Sequence, residues 1–270
     1  MLSKALEAAI AERISYLAEE HSLLPKNHFG ARKRRDTMQA LELLQEKIYE
    51  AWHHRKVLSL VSFDVKGAYN GVSRKVLLQR LHAQRIPEEL VQWVSSFCSN
   101  RRVSITVNGQ DSAEIVLPQA GLPQGSPLSP ILFLFFNADL VQSVINTHKG
   151  SIAFIDDFTT WVTGDSADDN TRKLQSTVIP KIERWEIESG ATFQADKTAF
   201  IHFTRNPAHV SRNPLTVKME DILPKTKVKI LGVIMDNQLK FHHHAARAVN
   251  RGFRTALALK RLRGLRPSTA

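Results

Sequence analysis

Cysteine is nearly absent: Cys98 is the only one in 270 residues. A disulfide framework within the chain is thereby excluded, as is a cysteine-rich zinc knuckle. A lone thiol also suits a reducing compartment. Long apolar runs are absent too. The most apolar stretch, Ile131-Leu132-Phe133-Leu134-Phe135-Phe136, is followed by Asn137, Asp139 and Gln142. It falls far short of the ~20 residues of a membrane-spanning helix. It reads as a buried core helix, and no membrane partner is expected. The opening residues Met1-Leu2-Ser3-Lys4 turn charged at once and lack the apolar segment of a secretory signal. No repeat of tens of residues is visible, which excludes a solenoid. Acids are scarce beside bases: 26 Asp and Glu against 37 Lys and Arg, a formal net charge of +11. That excess favours a polyanionic partner and, with membranes set aside, nucleic acid.

What is present is ordinary globular material, 43% hydrophobic and 23% charged, long enough to bury a real core. Leu6, Ile10, Ile14 and Leu17 recur at helical spacing and predict a first helix that stops before Leu24-Pro25. After a basic loop, Arg32 to Arg35, Asp36 or Thr37 can cap a second helix carrying Leu41, Leu44 and Ile48. Val57 to Phe63 predicts a buried strand ending at Asp64. Ser73 and Pro87 open two further helices. Alternating apolar residues from Val103 to Leu117 around Asn108-Gly109 predict a hairpin. Gly121 to Pro127 is a loop by composition, and the apolar helix starts after it at Ser129-Pro130. A second hairpin is expected around Asp156-Asp157. Residues 166–189 read as helix, kinked or divided by Pro180 and closed by Gly190. Strands follow near Thr198–Phe203 and Val228–Ile234, then a basic helix from Phe241. Helices and antiparallel hairpins interleave without βαβ alternation, so the fold class is α+β.

The chemistry is concentrated in acids. Asp is a common turn residue, and a lone Asp-Asp pair is most simply an exposed polar turn. Here both flanks of Asp156-Asp157 are apolar, and Asp64 ends another buried strand. Three converging carboxylates need a counter-charge, and Mg²⁺, with its octahedral oxygen ligation, supplies one. Two such ions ~4 Å apart serve an in-line displacement at phosphorus.

The motifs then resemble a known family. Phe63-Asp64-Val65-Lys66-Gly67-Ala68-Tyr69-Asn70 resembles motif A of reverse transcriptases, and Gly121-Leu122-Pro123-Gln124-Gly125-Ser126-Pro127-Leu128-Ser129-Pro130 resembles motif B. Phe154-Ile155-Asp156-Asp157 resembles motif C. Ala195-Asp196-Lys197-Thr198 with Ile201-His202-Phe203 resembles motif D, and Ile230-Leu231-Gly232-Val233 motif E. Asn27-His28-Phe29-Gly30-Ala31-Arg32 is similar to the Gln-Phe-Gly-x-Arg element of LINE-type, non-LTR retrotransposons. The order is right and nearly the whole chain is covered.

The resemblance implies a right-hand polymerase. Partial fingers would lie at 1–52, a palm at 53–240 with an inserted fingers segment at about 75–118, and the start of a thumb helix at 241–270. It implies RNA-directed DNA synthesis from deoxynucleoside triphosphates on an RNA template and a DNA primer. Two Mg²⁺ ions, with Mn²⁺ as substitute, would be held by Asp64, Asp156 and Asp157. Tyr69 would be the steric gate against a ribose 2′-OH; the plain reading of the same residue is a core aromatic. Gln124, Gly125 and Ser126 would line the nucleotide and template. Lys197 would approach the triphosphate and protonate the leaving pyrophosphate, unless it is merely a solvated lysine before an edge strand. From Lys240 onward there are eight Lys or Arg and no acid. Val249, Phe253 and Leu257 give that segment an apolar face, and Arg247, Arg251 and Arg254 would contact duplex phosphates. The same amphipathic pattern would also suit a membrane-surface helix. His242-His243-His244 is better read as solvated than as a metal site, since consecutive helical residues do not share a face.

Two departures from the family are expected to matter. The upstream strand that carries a triphosphate-binding Arg is missing, and the sequence stops inside the thumb. With no endonuclease or RNase H segment, the chain reads as a fragment of a larger protein that binds primer–template but polymerises weakly. An intracellular and, for a retroelement, nuclear site of action is expected. Two other readings stand: an RNA-directed RNA polymerase, against which Tyr69 counts because that class has a second Asp there, and a non-catalytic nucleic-acid-binding remnant.

Overall fold

A computed structural model describes residues 2–117, 121–206 and 211–260. Its centre is a four-stranded antiparallel sheet in the order β6-β7-β1-β8, where β1 is Val57–Asp64, β6 Lys149–Phe154, β7 Asp157–Gly164 and β8 Ala199–Phe203. Side chains alternate across a strand, and both faces of this sheet are covered. Val61, Phe63, Phe158 and Phe200 pack into a core with α1 (Leu2–Glu20), α3 (Arg74–Ala83), α4 (Glu88–Phe97), α5 (Ser129–Val141) and α7 (Ile179–Ser189). Leu58, Leu60, Trp161, Ile201 and Phe203 form a second core with Ala40, Leu44 and Ile48 of α2 (Thr37–His53). Burial on both faces explains why β1 is largely apolar at successive positions, with only Ser59 and Ser62 between Val57 and Phe63.

The helix signals act as the sequence predicts. Asp36 accepts from the Gln39 amide while Gln39 reaches back to Asp36, a complete capping box. The Ser73 side chain accepts from the Val76 amide to cap α3, without a reciprocal bond, and Gly190 closes α7 with φ of 72°. Pro180 sits at the start of α7, and a π-helical turn, Leu174–Val178, separates that helix from α6 (Ala167–Lys173). A π turn is the local adjustment expected where the regular ladder is interrupted.

One expectation is corrected and another is borne out with a refinement. The single strand expected at Val228–Ile234 is a hairpin of β11 (Lys227–Ile230) and β12 (Val233–Asp236). Leu231 and Gly232, with φ of 46° and 88°, turn the chain between them. The hairpin around Asn108-Gly109 exists but is split. Its outer part pairs β2 (Arg101–Val103) with β5 (Ile115–Leu117), and its tip pairs β3 (Thr106–Val107) with β4 (Gln110–Asp111). Its apolar residues cover nothing: Ile105 and Ile115 are 63% and 62% exposed. The short pair β9 (Leu215–Val217) and β10 (Glu220–Ile222) precedes β11, and α8 (His242–Lys260) closes the described chain.

Candidate active site

The acids gather at one end of the sheet because of strand register. Asp64 is the last residue of β1 and the direct cross-strand partner of Asp157, the first residue of β7. Directly opposite residues on antiparallel strands project from the same face, so these two carboxylates share a side. Asp156 lies in the turn between β6 and β7. Its predecessor Ile155 has φ of 56°, an unusual conformation for a β-branched residue. The Asn137 side chain donates to the Ile155 carbonyl at 2.7 Å.

The electrostatics of the corner are those of crowded, under-compensated anions. Asp157 is pushed up to about 6, first by the protein mass around it and then by Asp156 and Asp64. Asp156 is raised for the same reasons: burial first, with the Asp64 charge adding to it. Lys197 supplies the nearest positive charge. Its ammonium lies 2.9 Å from Asp64 Oδ2, and this hydrogen bond and attraction raise its own pKa. It comes from a short 3₁₀ turn, Ala195–Lys197, just before β8. That turn is anchored through Gln194, whose amide donates to the Asp64 carbonyl at 3.0 Å. Among the described residues no three carboxylates or imidazoles are already gathered as a closed ligand set.

Tyr69 sits in the 3₁₀ turn Ala68–Gly71 that follows β1. Its ring meets Phe133 edge-on, with centroids 5.5 Å apart, and burial and the nearby Asp156 charge push its phenol up. Tyr69 is thus half-buried against Phe133 and close enough to Asp156 to feel its charge. The loop resembling motif B is seated directly on this turn. The Leu122 amide donates to the Tyr69 carbonyl at 2.7 Å. A side chain at Gly121 would lie 2.2 Å from that carbonyl oxygen, and φ there is +58°. Glycine is required at that contact on both counts.

The remaining expected site residues divide. Gln124 and Gly125 are exposed at the loop tip, whereas Ser126 is buried. The Ser126 hydroxyl donates to Glu7 of α1 at 2.6 Å, and Lys4 donates to the Gly125 carbonyl at 3.1 Å. Arg247, Arg251 and Arg254 share one face of α8 with His243 and Asn250, apart from the acid corner. His242 and His243 are exposed, while His244 turns back to accept from the Ile234 amide at 3.3 Å. The base of α8 is fixed by Asp236, whose carboxylate receives the amides of Gln238, Lys240 and Phe241. Burial works against ionisation of Asp236, but those backbone donors outweigh it and hold its pKa low.

Sequence reasoning missed two neighbours of the corner. Lys229 lines the small cavity beside Asp157 with Ser62 and Thr159, and nothing in its local pattern sets it apart from other strand lysines. Asn137 was legible only as the polar residue that ends an apolar run.

A family model described as reverse transcriptase (RNA-dependent DNA polymerase) matches residues 1–235. The chain belongs to that family. An RNA-directed DNA polymerase from the mobile element jockey of Drosophila funebris is 27% identical over 261 residues, covering 95% of this chain and 28% of that protein. A probable RNA-directed DNA polymerase from transposon BS of Drosophila melanogaster is 25% identical, covering 96% and 29%. The reverse transcriptase chain thus spans less than a third of these relatives. Among solved structures, apo telomerase from Candida tropicalis superposes with a TM-score of 0.60 at 12% identity, over 88% of this chain and 40% of that one. A telomerase structure from the same organism, in complex with a fragment of telomeric RNA, gives 0.59 at 11% identity, over 89% and 37%. The shared feature is the right-hand polymerase fold.

Proposed function

We propose that this chain is the catalytic core of an RNA-directed DNA polymerase, adding deoxynucleotides to a primer 3′-hydroxyl on an RNA template. The observation that supports this most directly is the register of Asp64 against Asp157, with Asp156 in the adjoining turn and Lys197 on Asp64. The donor set fits a hard divalent cation. All three groups are carboxylates, they repel one another, and the local cation count falls short. Asp64, Asp156 and Asp157 would hold two Mg²⁺ ions, or Mn²⁺ in their place. When bound, such ions polarise phosphoryl oxygens and lower the pKa of an attacking hydroxyl.

The protein's own groups supply the remaining requirements. Lys197 would exchange Asp64 for a phosphate oxygen when a triphosphate enters, and its ammonium would carry a proton for the leaving pyrophosphate. Tyr69, wedged by Phe133, offers a rigid ring beside Asp156 to exclude a 2′-hydroxyl. Gln124 and Gly125 present the loop tip to the nucleotide and template, while Ser126 fixes that tip through Glu7. Arg247, Arg251 and Arg254 line up to follow duplex phosphates. In this reading 1–52 is fingers, 53–240 palm with fingers elements at about 75–118, and 241–270 the beginning of the thumb.

The test is primer extension on an RNA template with Mg²⁺ and either deoxy- or ribonucleotides. Deoxynucleotide addition that vanishes in Asp156→Asn is expected. Replacement of Tyr69 with Ala should raise ribonucleotide use; an unchanged sugar preference removes the gate assignment. Metal-independent addition, or addition insensitive to Asp156→Asn, would overturn the proposal.

A further inference from the structure

The turn that carries Asp156 is held from behind by a buried chain of side-chain hydrogen bonds that begins in the first loop of the protein. Asn137 Nδ2 donates to the Ile155 carbonyl at 2.7 Å, and Asn137 Oδ1 lies 2.9 Å from His28 Nε2. The roles in this chain are forced. A carbonyl can only accept, so the Asn137 amide must present nitrogen to Ile155 and oxygen to His28. His28 must therefore carry its proton on Nε2. Its other nitrogen, Nδ1, is buried without a hydrogen-bond partner. A proton there would be an unsatisfied buried charge, so the ring is held neutral.

The backbone of the same loop is laminated onto the edge of the sheet. The Phe29 amide donates to the Ala153 carbonyl at 2.8 Å, and the Ala153 amide donates to the Asn27 carbonyl at 3.1 Å. Gly30 lies flush against the turn, where a Cβ would stand 2.6 Å from the Ile155 amide nitrogen. The loop is itself clamped by Arg32, buried and paired to Glu19 through two hydrogen bonds of 2.6 and 2.7 Å.

A β-branched residue at positive φ is strained and persists only where its surroundings over-determine it. Ile155 meets that condition: its carbonyl is bonded by Asn137, and its amide side is walled by Gly30. Released, the turn would relax toward an ordinary conformation and re-aim the next residue, Asp156.

We infer that Asn137 and His28 are positioning residues for the active site, fixing the strained Ile155 turn so that the Asp156 carboxylate faces Asp64. This rests on the polymerase reading for its catalytic consequence, but not for its structural one. Neither residue touches the reacting atoms.

The test uses the full chain and three variants: Asn137→Leu, which keeps the heavy-atom count and branching and removes the amide; His28→Leu, which removes the donor; and His28→Gln, which restores a neutral donor. Amide hydrogen exchange of the 153–158 segment is read first and needs no activity. Faster exchange in Asn137→Leu and His28→Leu is expected, with wild-type protection in His28→Gln. Mn²⁺ binding and the rate of nucleotide addition are read second. Loss of supporting groups around metal ligands typically costs ~10–100-fold, so a loss of that size is expected in both leucine variants, expressed in turnover and metal requirement rather than in KM for primer–template. His28→Gln should recover most of it. Wild-type exchange in the leucine variants would overturn the inference, as would exchange that rises equally across the whole chain or fails to recover in His28→Gln. A wild-type chain that adds no nucleotide would count against the polymerase reading alone, since the exchange measurement still decides the hydrogen-bond chain.

Discussion

The two hairpins of this molecule carry similar alternating apolar signals and have opposite fates. In the β6–β7 hairpin, Ile152, Phe158 and Trp161 are buried, and the strands sit between two cores. In the 101–117 hairpin, Val103, Ile105, Val107, Ile115, Val116 and Leu117 are all exposed. Alternation fixes the local conformation in both, but burial depends on what arrives from elsewhere in the chain. Helices α2 and α5 cover the first hairpin from opposite sides, and no described element covers the second. The buried hairpin can therefore hold a crowded anionic corner and a residue at positive φ. The exposed one has no surrounding core with which to do so.

The comparison can be broken first at the corner itself. Asp156→Asn should lower nucleotide addition by at least ~100-fold, the scale of losing one electrostatic contributor to phosphoryl transfer. Thermal stability should be unchanged or higher, because a half-buried negative charge and its repulsion with Asp64 are removed. A melting temperature that falls with activity would show a structural role instead. Next in size is the sheet beneath it. Leu60 is fully buried on the α2 side of β1, and Leu60→Ala should cost ~2–5 kcal/mol in urea unfolding. A loss below ~1 kcal/mol would mean that this core is not close-packed.

A third effect is read by pH. His28 and His202 are both pushed down to about 4, chiefly by burial. The unfolded chain binds protons near the ordinary ~6.5, so between those values it holds protons that the folded chain refuses. Stability therefore falls as pH drops from about 6.5 to about 4, by up to ~1.4 kcal/mol per pH unit for each histidine. Asp157 acts in the opposite sense. Its folded pKa of about 6 exceeds the ordinary carboxylate value, so stability falls as pH rises from about 4 to about 6. Urea unfolding at pH 5 and 7 should show a steeper loss on the acid side in Asp157→Asn than in the parent. Equal slopes in the two proteins would remove this assignment. The smallest effect belongs to the exposed hairpin. Ile115→Ala should change stability by no more than ~0.5 kcal/mol, and a cost approaching that of Leu60→Ala would mean the hairpin is packed in solution.

Much of the fold was legible because its signals are local. Asp36, Ser73 and Gly190 announce helix ends through their own side chains or backbone freedom, and each acts where the sequence places it. The acid corner was legible through the motifs around Asp64 and Asp156-Asp157. What could not be read was where residues distant in sequence meet. Leu231-Gly232 turns a presumed strand into a hairpin, and only packing decides that. Ser126 reads as a loop residue, yet its hydroxyl is committed to Glu7, more than a hundred positions earlier. Arg32 reads as part of a basic loop and of a family element, and nothing local shows that it is buried against Glu19.

Gly121 has one further consequence. With no side chain between them, the backbone of its loop rests on the backbone of the Tyr69 turn. The separation of these two walls is thus set by main-chain atoms alone. Sequence drift can change the side chain at Tyr69 on one side or Gln124 on the other without altering that separation. Under the polymerase reading proposed above, a lineage could then retune which building block it prefers one residue at a time, so long as position 121 never gains a carbon.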